Sequence, residues 1–440
     1  MIKKLKNKIC SGESGSVYRG MLTLLIGAGL ARIVGLVSIP ILTRLYSPDD
    51  YGVLAVYTSI VAILVPFLTF RYVTAIPLPK TDAMAFNLFV LCAKLIVFWT
   101  AIITIALAVF GKTILSWFSM EELASYWWLI AIGVFGTASY ELFSMWATRK
   151  KSYKIIAKTQ FSQSLLGNMV KIGLGLFSVK TLGLIVGQVI AQSGGIGGYL
   201  KGILKDFKDL APALKNKKQK LLAGYYKDFP RYRLPSQLLM TLSIQAPVLM
   251  MATLYDKEVT GQLSLAMMAL SLPVGLVGGA MARAYYGEIA ALGKNNIGKI
   301  TKLTMSVQKK MFFVGIPLSI TVFFLSEMFF VVAFGDEWRV AGSFASILAP
   351  FVLFQFTSSP LMEVVNILGK QIVYFVLHGL RVFGFLGVYV YLYANQISDK
   401  GFVVVVSLYL SAFYFFASML VLTMLLKERK RFFINADKLS

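Results

Sequence analysis

MLTLLIGAGLARIVGLVSIPILTRLYSPDDYGVLAVYTSIVAILVPFLTFRYVTAIPLP, residues 21–79, is two long apolar runs joined by the short turn Ser47-Pro48-Asp49-Asp50. Each run exceeds the roughly 20 residues a helix needs to cross a hydrocarbon core of about 30 Å. As a helix, residues 21–46 would be about 39 Å long, so the first run must tilt or bend. Pro40 offers the bend, because it removes one ladder donor and crowds the preceding turn. Arg32 falls about 16 Å into this helix, near the middle of a bilayer. An arginine at that depth costs several kcal/mol unless it meets water or a partner, which makes it a functional candidate.

The same apolar character runs through all 440 residues: 57% are hydrophobic and the mean hydropathy is +0.72. Charged residues make up 15% of the chain, against about 25% in soluble domains. The chain therefore reads as an integral membrane protein. Its formal charge of +24 lies between the apolar runs, where it sets topology and meets anionic lipid head groups, and not in a patch that binds nucleic acid. Cys10 and Cys92 form neither a disulfide framework nor a metal-ligand cluster, and the lone histidine, His378, rules out a His-rich site. No cofactor or metal is expected. The basic amino terminus resembles a signal peptide, but the apolar run is too long and lacks a small-residue cleavage site, so it should stay attached.

Further apolar runs lie near 83–110, 126–147, 160–178, 182–203, 235–255, 260–284, 311–334, 341–365, 371–394 and 401–426. With the opening pair, the expectation is an all-α protein of about twelve transmembrane helices in two six-helix lobes around a central cavity. The lobes would be residues 1–204 and 234–440, separated by a basic cytoplasmic linker, 205–233, that carries Lys215, Lys217, Lys218 and Lys220. Basic connections alternate with acidic or neutral ones. Lys3, Lys4, Lys6 and Lys8, then Arg149-Lys150-Lys151, the linker, Lys294 to Lys310 and the tail from Lys427 are basic. Asp49-Asp50, Glu121-Glu122, Asp256-Lys257-Glu258, Asp336-Glu337 and Asp399-Lys400 are not. Both termini are thus expected in the cytoplasm. The chain also reads as an internal repeat: the turn from Leu45 to Gly52 aligns with that from Leu254 to Gly261. Pro40 and Pro66 pair with Pro247 and Pro273. An even number of spans per copy makes the repeats parallel.

Three sets of residues carry a family resemblance: residues 40–48 (PILTRLYSP), Asp50-Tyr51-Gly52, and Phe70-Arg71-Tyr72 with Ala75-Ile76-Pro77-Leu78-Pro79. This hairpin resembles the amino-terminal signature of the polysaccharide-biosynthesis flippases, O-antigen or capsule repeat-unit translocases of the multidrug/oligosaccharidyl-lipid/polysaccharide exporter superfamily. The carboxyl half matches mainly in pattern. The resemblance implies a non-enzymatic flippase of the bacterial cytoplasmic membrane. Such a protein moves an undecaprenyl-pyrophosphate-linked oligosaccharide outward by alternating access, beside membrane lipids and possible polymerase and chain-length-regulator partners. The drug or cation antiporter and the peptidoglycan-precursor flippase are rivals on the same fold. A membrane polymerase or glycosyltransferase is a rival of another class, but no carboxylate pair or nucleotide loop supports it.

A pyrophosphate substrate needs cations at membrane depth. Arg32, Lys94, Lys171 and Arg381 fall near mid-span by sequence, and Arg71 and Arg283 lie toward cytoplasmic ends, where they could also snorkel. Arginine suits phosphate because its planar fork bonds two oxygens together. Glu141, Glu363 and His378 also sit in apolar runs, as coupling sites or as static partners of the cations. Gln160, Gln163, Asn168, Gln188, Gln192, Gln245, Gln355 and Asn366 could contact glycan or simply bond neighbouring helices. Gly183/Gly187 and Gly198/Gly202 have the spacing of close helix packing. The aromatic run from Tyr409 to Phe416 reads as packing or lipid-facing.

Overall fold

The computed structural model describes residues 13–437, apart from 294, 295 and 369. Lys3, Lys4, Lys6, Lys8, Cys10 and Lys294 lie outside the described residues, as does the side chain of Asn366. Among the described residues every regular element is helical. Contacts divide the chain near residue 241 into two compact units.

The first unit holds α1 (Glu13–Leu45), α2 (Pro48–Leu68), α3 (Asp82–Ser116), α4 (Trp127–Arg149), α5 (Tyr153–Leu176), α6 (Lys180–Ser193), α7 (Gly197–Leu210) and α8 (Asn216–Tyr225). Helix α9 (Leu234–Leu254) runs across the division. The second unit continues with α10 (Lys257–Pro273), α11 (Gly279–Leu292), α12 (Ile297–Phe334), α13 (Arg339–Ile347), α14 (Ala349–Ser358), α15 (Met362–Leu368), α16 (Gln371–Asn395) and α17 (Asp399–Asp437).

Nine helical stretches among the described residues are long and apolar enough to cross a membrane, or ten if the pair bent by 54° at residue 348 counts as one span. Two of the twelve expected runs, 160–178 and 182–203, are helical but fall outside that set. Lys154, Lys158 and Lys171, with several amides, interrupt the apolar character of α5. Helices α6 and α7 are 14 residues each, separated by a turn that contains Gly194 and Gly195. The expected linker, 205–233, is itself largely helical. Its last five residues, Phe229–Arg233, form a π-helical turn that leads into α9.

Both repeat-like turns start a helix with a side-chain cap. The Ser47 hydroxyl accepts from the Asp50 amide at 3.4 Å, while the Ser47 amide donates to the Asp50 carboxylate at 3.1 Å, so two orphan donors are met reciprocally. At the other turn, Asp256 accepts from the Val259 amide at 2.9 Å. Pro40, Pro66, Pro247 and Pro273 all lie inside helices. After Pro273 the chain passes through a π-helical turn, Val274–Gly278, before α11.

Within a bilayer, helices gain little from burying apolar surface against each other, so close approach and hydrogen bonds hold them together. Gly27 lets α1 meet α5, since a Cβ there would lie 2.5 Å from that of Ala157; the Ser164 hydroxyl donates to the Ala31 carbonyl at 2.9 Å. Gly167 admits Ala191 in the same way, and Gly183, Gly187 and Gly198 are also close contacts. Gly202 is not: nothing lies within 4 Å of a Cβ there, so the spacing alone misassigned it. In the second unit Gln262 clamps backbone, donating to the Glu337 carbonyl at 2.6 Å and accepting from the Ala341 amide at 2.9 Å. Outer faces carry bare Val97, Phe98, Phe324 and Met328, as lipid-facing helices do.

Candidate cation sites and their partners

The turn between α1 and α2 is tied to α5 and α6. Tyr46 donates its hydroxyl to the Lys171 carbonyl at 2.6 Å, and its ring lies in a slot against Gly175 and Gly183. Asp50, only 6% exposed, also accepts from the Thr181 hydroxyl at 2.5 Å. This fixes Lys171 beside the turn. Because α5 begins as early as Tyr153 and ends at Leu176, Lys171 sits about 7.5 Å from the helix end. The mid-span position expected from the apolar run 160–178 is thus not where the helix places it. Its side chain is 8% exposed, crosses Gly187, and donates to Gln188 Oε1 at 2.6 Å.

Arg381, on α16, is 6% exposed and enclosed by rings. Its guanidinium carbon lies 5.4–5.9 Å from the centroids of Phe385, Phe413 and Tyr414, and Nη1 donates to the Tyr414 hydroxyl at 3.2 Å. The Tyr409 hydroxyl donates to the Arg381 carbonyl at 2.8 Å. Arg381 Nε has no hydrogen-bond partner among the described residues, nor has Nδ1 of His378, one turn earlier, whose ring stacks on Tyr374. The rings that sequence reading assigned to packing or lipid are thus part of this site. Their role depends on α17 facing α16, and no local spacing carries that.

Arg71 lies beyond the end of α2 in a left-handed conformation, φ 60°, and pairs with Glu141 at 2.9 Å. Lys94 is exposed on α3 and donates to Asn216 Oδ1 and Gln219 Oε1, both at 3.0 Å, on α8. Arg283 is exposed on α11, five residues after the π-helical turn, with a guanidinium nitrogen near Gly279. Glu363 lies in the first turn of α15, partly buried and engaged in an interaction of its own.

Arg32 differs from the other deep cations. It lies 13 residues, about 20 Å, from the end of α1. Ala31 and Gly27 face α5, while Arg32 stands on an exposed flank and has no hydrogen-bond or ion-pair partner among the described residues. The cations therefore sort into two kinds. Lys171, Arg381, Lys94 and Arg71 are held by protein groups; Arg32 and Arg283 are open.

The amides are mixed. Asn168 donates to the Ser164 carbonyl at 2.8 Å, and Gln192 accepts from Thr137 at 3.4 Å. Gln355 donates to Tyr414 at 3.5 Å, and Gln245 has a partner. The buried Oε1 atoms of Gln160 and Gln163 are unpaired among the described residues. No group of three or more metal-ligating side chains occurs among the described residues.

These features define a multi-pass, all-helical membrane protein with the fold of the multidrug/oligosaccharidyl-lipid/polysaccharide exporters. Three solved structures share it. The lipid II flippase MurJ in an inward closed conformation matches with a TM-score of 0.68 at 12% identity, over 94% of this chain and 92% of that one. An inward-facing multidrug resistance MATE transporter matches at 0.65 and 14%, over 94% and 99%. The Vibrio cholerae MATE transporter VcmN, in a point-mutant form, matches at 0.61 and 15%, over 97% and 99%. No curated protein matches in sequence. The chain belongs to the polysaccharide biosynthesis protein family, whose model matches residues 41–342.

Proposed function

We propose that this chain is a flippase for undecaprenyl-pyrophosphate-linked oligosaccharides, working by alternating access in a bacterial cytoplasmic membrane with both termini on the cytoplasmic side. Family membership supplies the polysaccharide context. The observation that carries the substrate class is Arg32: a mid-span arginine, exposed and without a hydrogen-bond or ion-pair partner among the described residues. At the centre of a bilayer an arginine is worth about +3 kcal/mol on insertion scales, so an anionic ligand or a wet path must offset it. A pyrophosphate does so best, since its oxygens accept the guanidinium fork in pairs. Arg283 is the corresponding open cation of the second unit, while Lys171 and Arg381 shape their surroundings. Lys94 and Arg71 serve the architecture. The lipid tail would stay in the bilayer while the head group moves.

A drug or cation antiporter on this fold would need acidic groups in its path. Glu141 is neutralised by Arg71 at 2.9 Å, and coupling by Glu363 or His378 is a secondary element of the proposal. The peptidoglycan-precursor reading shares the pyrophosphate but departs from the family context. The test is translocation in proteoliposomes. A fluorescent undecaprenyl-pyrophosphate oligosaccharide should become accessible on the opposite leaflet only with protein present, and excess lipid-linked peptidoglycan precursor should compete poorly. Uptake of organic cations with no glycolipid movement would replace this reading by the antiporter one.

A further inference from the structure

Helix α8 (Asn216–Tyr225) has two dissimilar edges, and only one of them is used by the fold. Its buried edge carries Gln219 and Leu222. Lys94 of α3 holds Asn216 and Gln219. Asn87, also on α3, brackets the segment just before it, donating to the Ala213 carbonyl at 3.1 Å and accepting from the Lys215 amide at 3.0 Å. Tyr72 donates to the Ala223 carbonyl at 3.1 Å and anchors the far end. The helix is thus held along the flank of a membrane span.

The other edge makes no hydrogen bond or ion pair through its side chains among the described residues, its one ring contact being that of Tyr225 with the adjacent Tyr226. At 100° per residue, Lys217, Leu221 and Tyr225 fall on the side opposite Gln219 and Leu222, flanked by Lys218 and Lys220. Leu221 is 73% exposed and Tyr225 76%, and all three lysines are exposed without a hydrogen-bond or ion-pair partner among the described residues. No acidic residue occurs between Asp209 and Asp228 to offset them. Bare leucine and tyrosine among lysines suit a boundary that is apolar on one side and wet on the other. A purely aqueous anion would give the leucine nothing to bury against. Beside α8, the α3 face formed by Val90, Ala93, Val97 and Phe98 is an open apolar groove with Lys94 at its edge, a surface for an acyl chain under a charged head group.

We propose that α8 lies in the membrane–water interface and binds anionic phospholipid head groups through Lys217, Lys218 and Lys220, with Leu221 and Tyr225 inserted beneath them. Each lysine near an anionic surface contributes attraction comparable to thermal energy, so three together bias the helix to charged lipid. The site is separate from the open cations and stands whatever glycolipid the protein moves.

The experiment uses the full chain carrying Leu221→Cys and Cys10→Ser, labelled with an environment-sensitive nitrobenzoxadiazole probe; Cys92 is buried. It is reconstituted in vesicles of phosphatidylcholine alone or with about 30 mol% phosphatidylglycerol, an anionic surface like a cytoplasmic leaflet. Emission should shift to the blue in the anionic vesicles. Quenching by a shallow nitroxide lipid should be about two-fold stronger there than in neutral ones, and raised salt should reverse both. Lys217→Gln/Lys218→Gln/Lys220→Gln should return the anionic values to the neutral ones. The two vesicles compared on the unmutated lysines already decide the matter if that variant folds poorly. A water-like probe in both vesicles would overturn the proposal, and so would equal insertion in both. Reversal by millimolar glycerol phosphate, showing a site for soluble anions, would overturn it as well, as would insertion only after an acidic protein is added.

Discussion

Arg32 and Arg381 are both arginines inside apolar helices, and their surroundings are opposite. Arg381 is enclosed by Phe385, Phe413 and Tyr414, which provide ring faces and one hydroxyl but no carboxylate in hydrogen-bonding contact. Such a site favours a flat, weakly hydrated guanidinium over a compact ammonium. Arg381→Lys should therefore lower stability by roughly 1–2 kcal/mol, and Arg381→Ala by at least as much, because the rings lose the cation and the Tyr414 hydroxyl loses the shorter of its two donors. Thermal melting of the purified protein in detergent reads this directly. Parent-like melting of both variants would show that the rings do not hold the arginine. The sequence marks Arg381 by its depth alone. Phe385 is one turn along the same helix, but the sequence cannot mark Phe413 and Tyr414, which lie about thirty residues away on α17.

Among the elements, the junction of the α1–α2 turn with α5 and α6 shows where local and tertiary information part. Ser47 and Asp50 are readable as a helix start, since the capping pattern is local. That Asp50 also accepts from Thr181, and that Tyr46 donates to the Lys171 carbonyl, follows only from the packing of distant helices. Thr181→Val keeps the shape of the side chain and removes the donor, leaving a buried carboxylate oxygen underused, and should cost about 1–3 kcal/mol. Gly183→Ala should be at least as damaging, since its Cβ would sit 2.6 Å from the Tyr46 hydroxyl; Gly202→Ala, with open space around it, should melt as the parent does. If Gly183→Ala and Gly202→Ala melt alike, the slot around Tyr46 does not hold the turn. The same contrast explains why small-residue spacing identified Gly183, Gly187 and Gly198 but misassigned Gly202: spacing selects a face without telling whether another helix covers it.

At the scale of the molecule, fold class and membrane character were readable because ten of the twelve expected runs repeat the same signal, a long apolar run between polar connections. The two expected spans that fall outside the apolar set, α5 and the α6–α7 pair, are those rich in lysine, amides and glycine, where packing replaces hydrophobicity. The candidate cations were readable as a set, but not their division into held and open members, because partners such as Gln188, Tyr414, Asn216 and Glu141 come from other helices. The transport proposal rests on the open member at mid-span. Its most direct measurement is surface-glycan export normalised to folded, membrane-inserted protein, in cells carrying Arg32→Ala or Arg32→Lys. Arg32→Ala should reduce export per folded molecule by at least about ten-fold, a loss of 1.4 kcal/mol or more in head-group binding, with Arg32→Lys intermediate because a point charge lacks the two-oxygen grip. Export per folded molecule equal to that of the parent for Arg32→Ala would contradict a pyrophosphate path through Arg32.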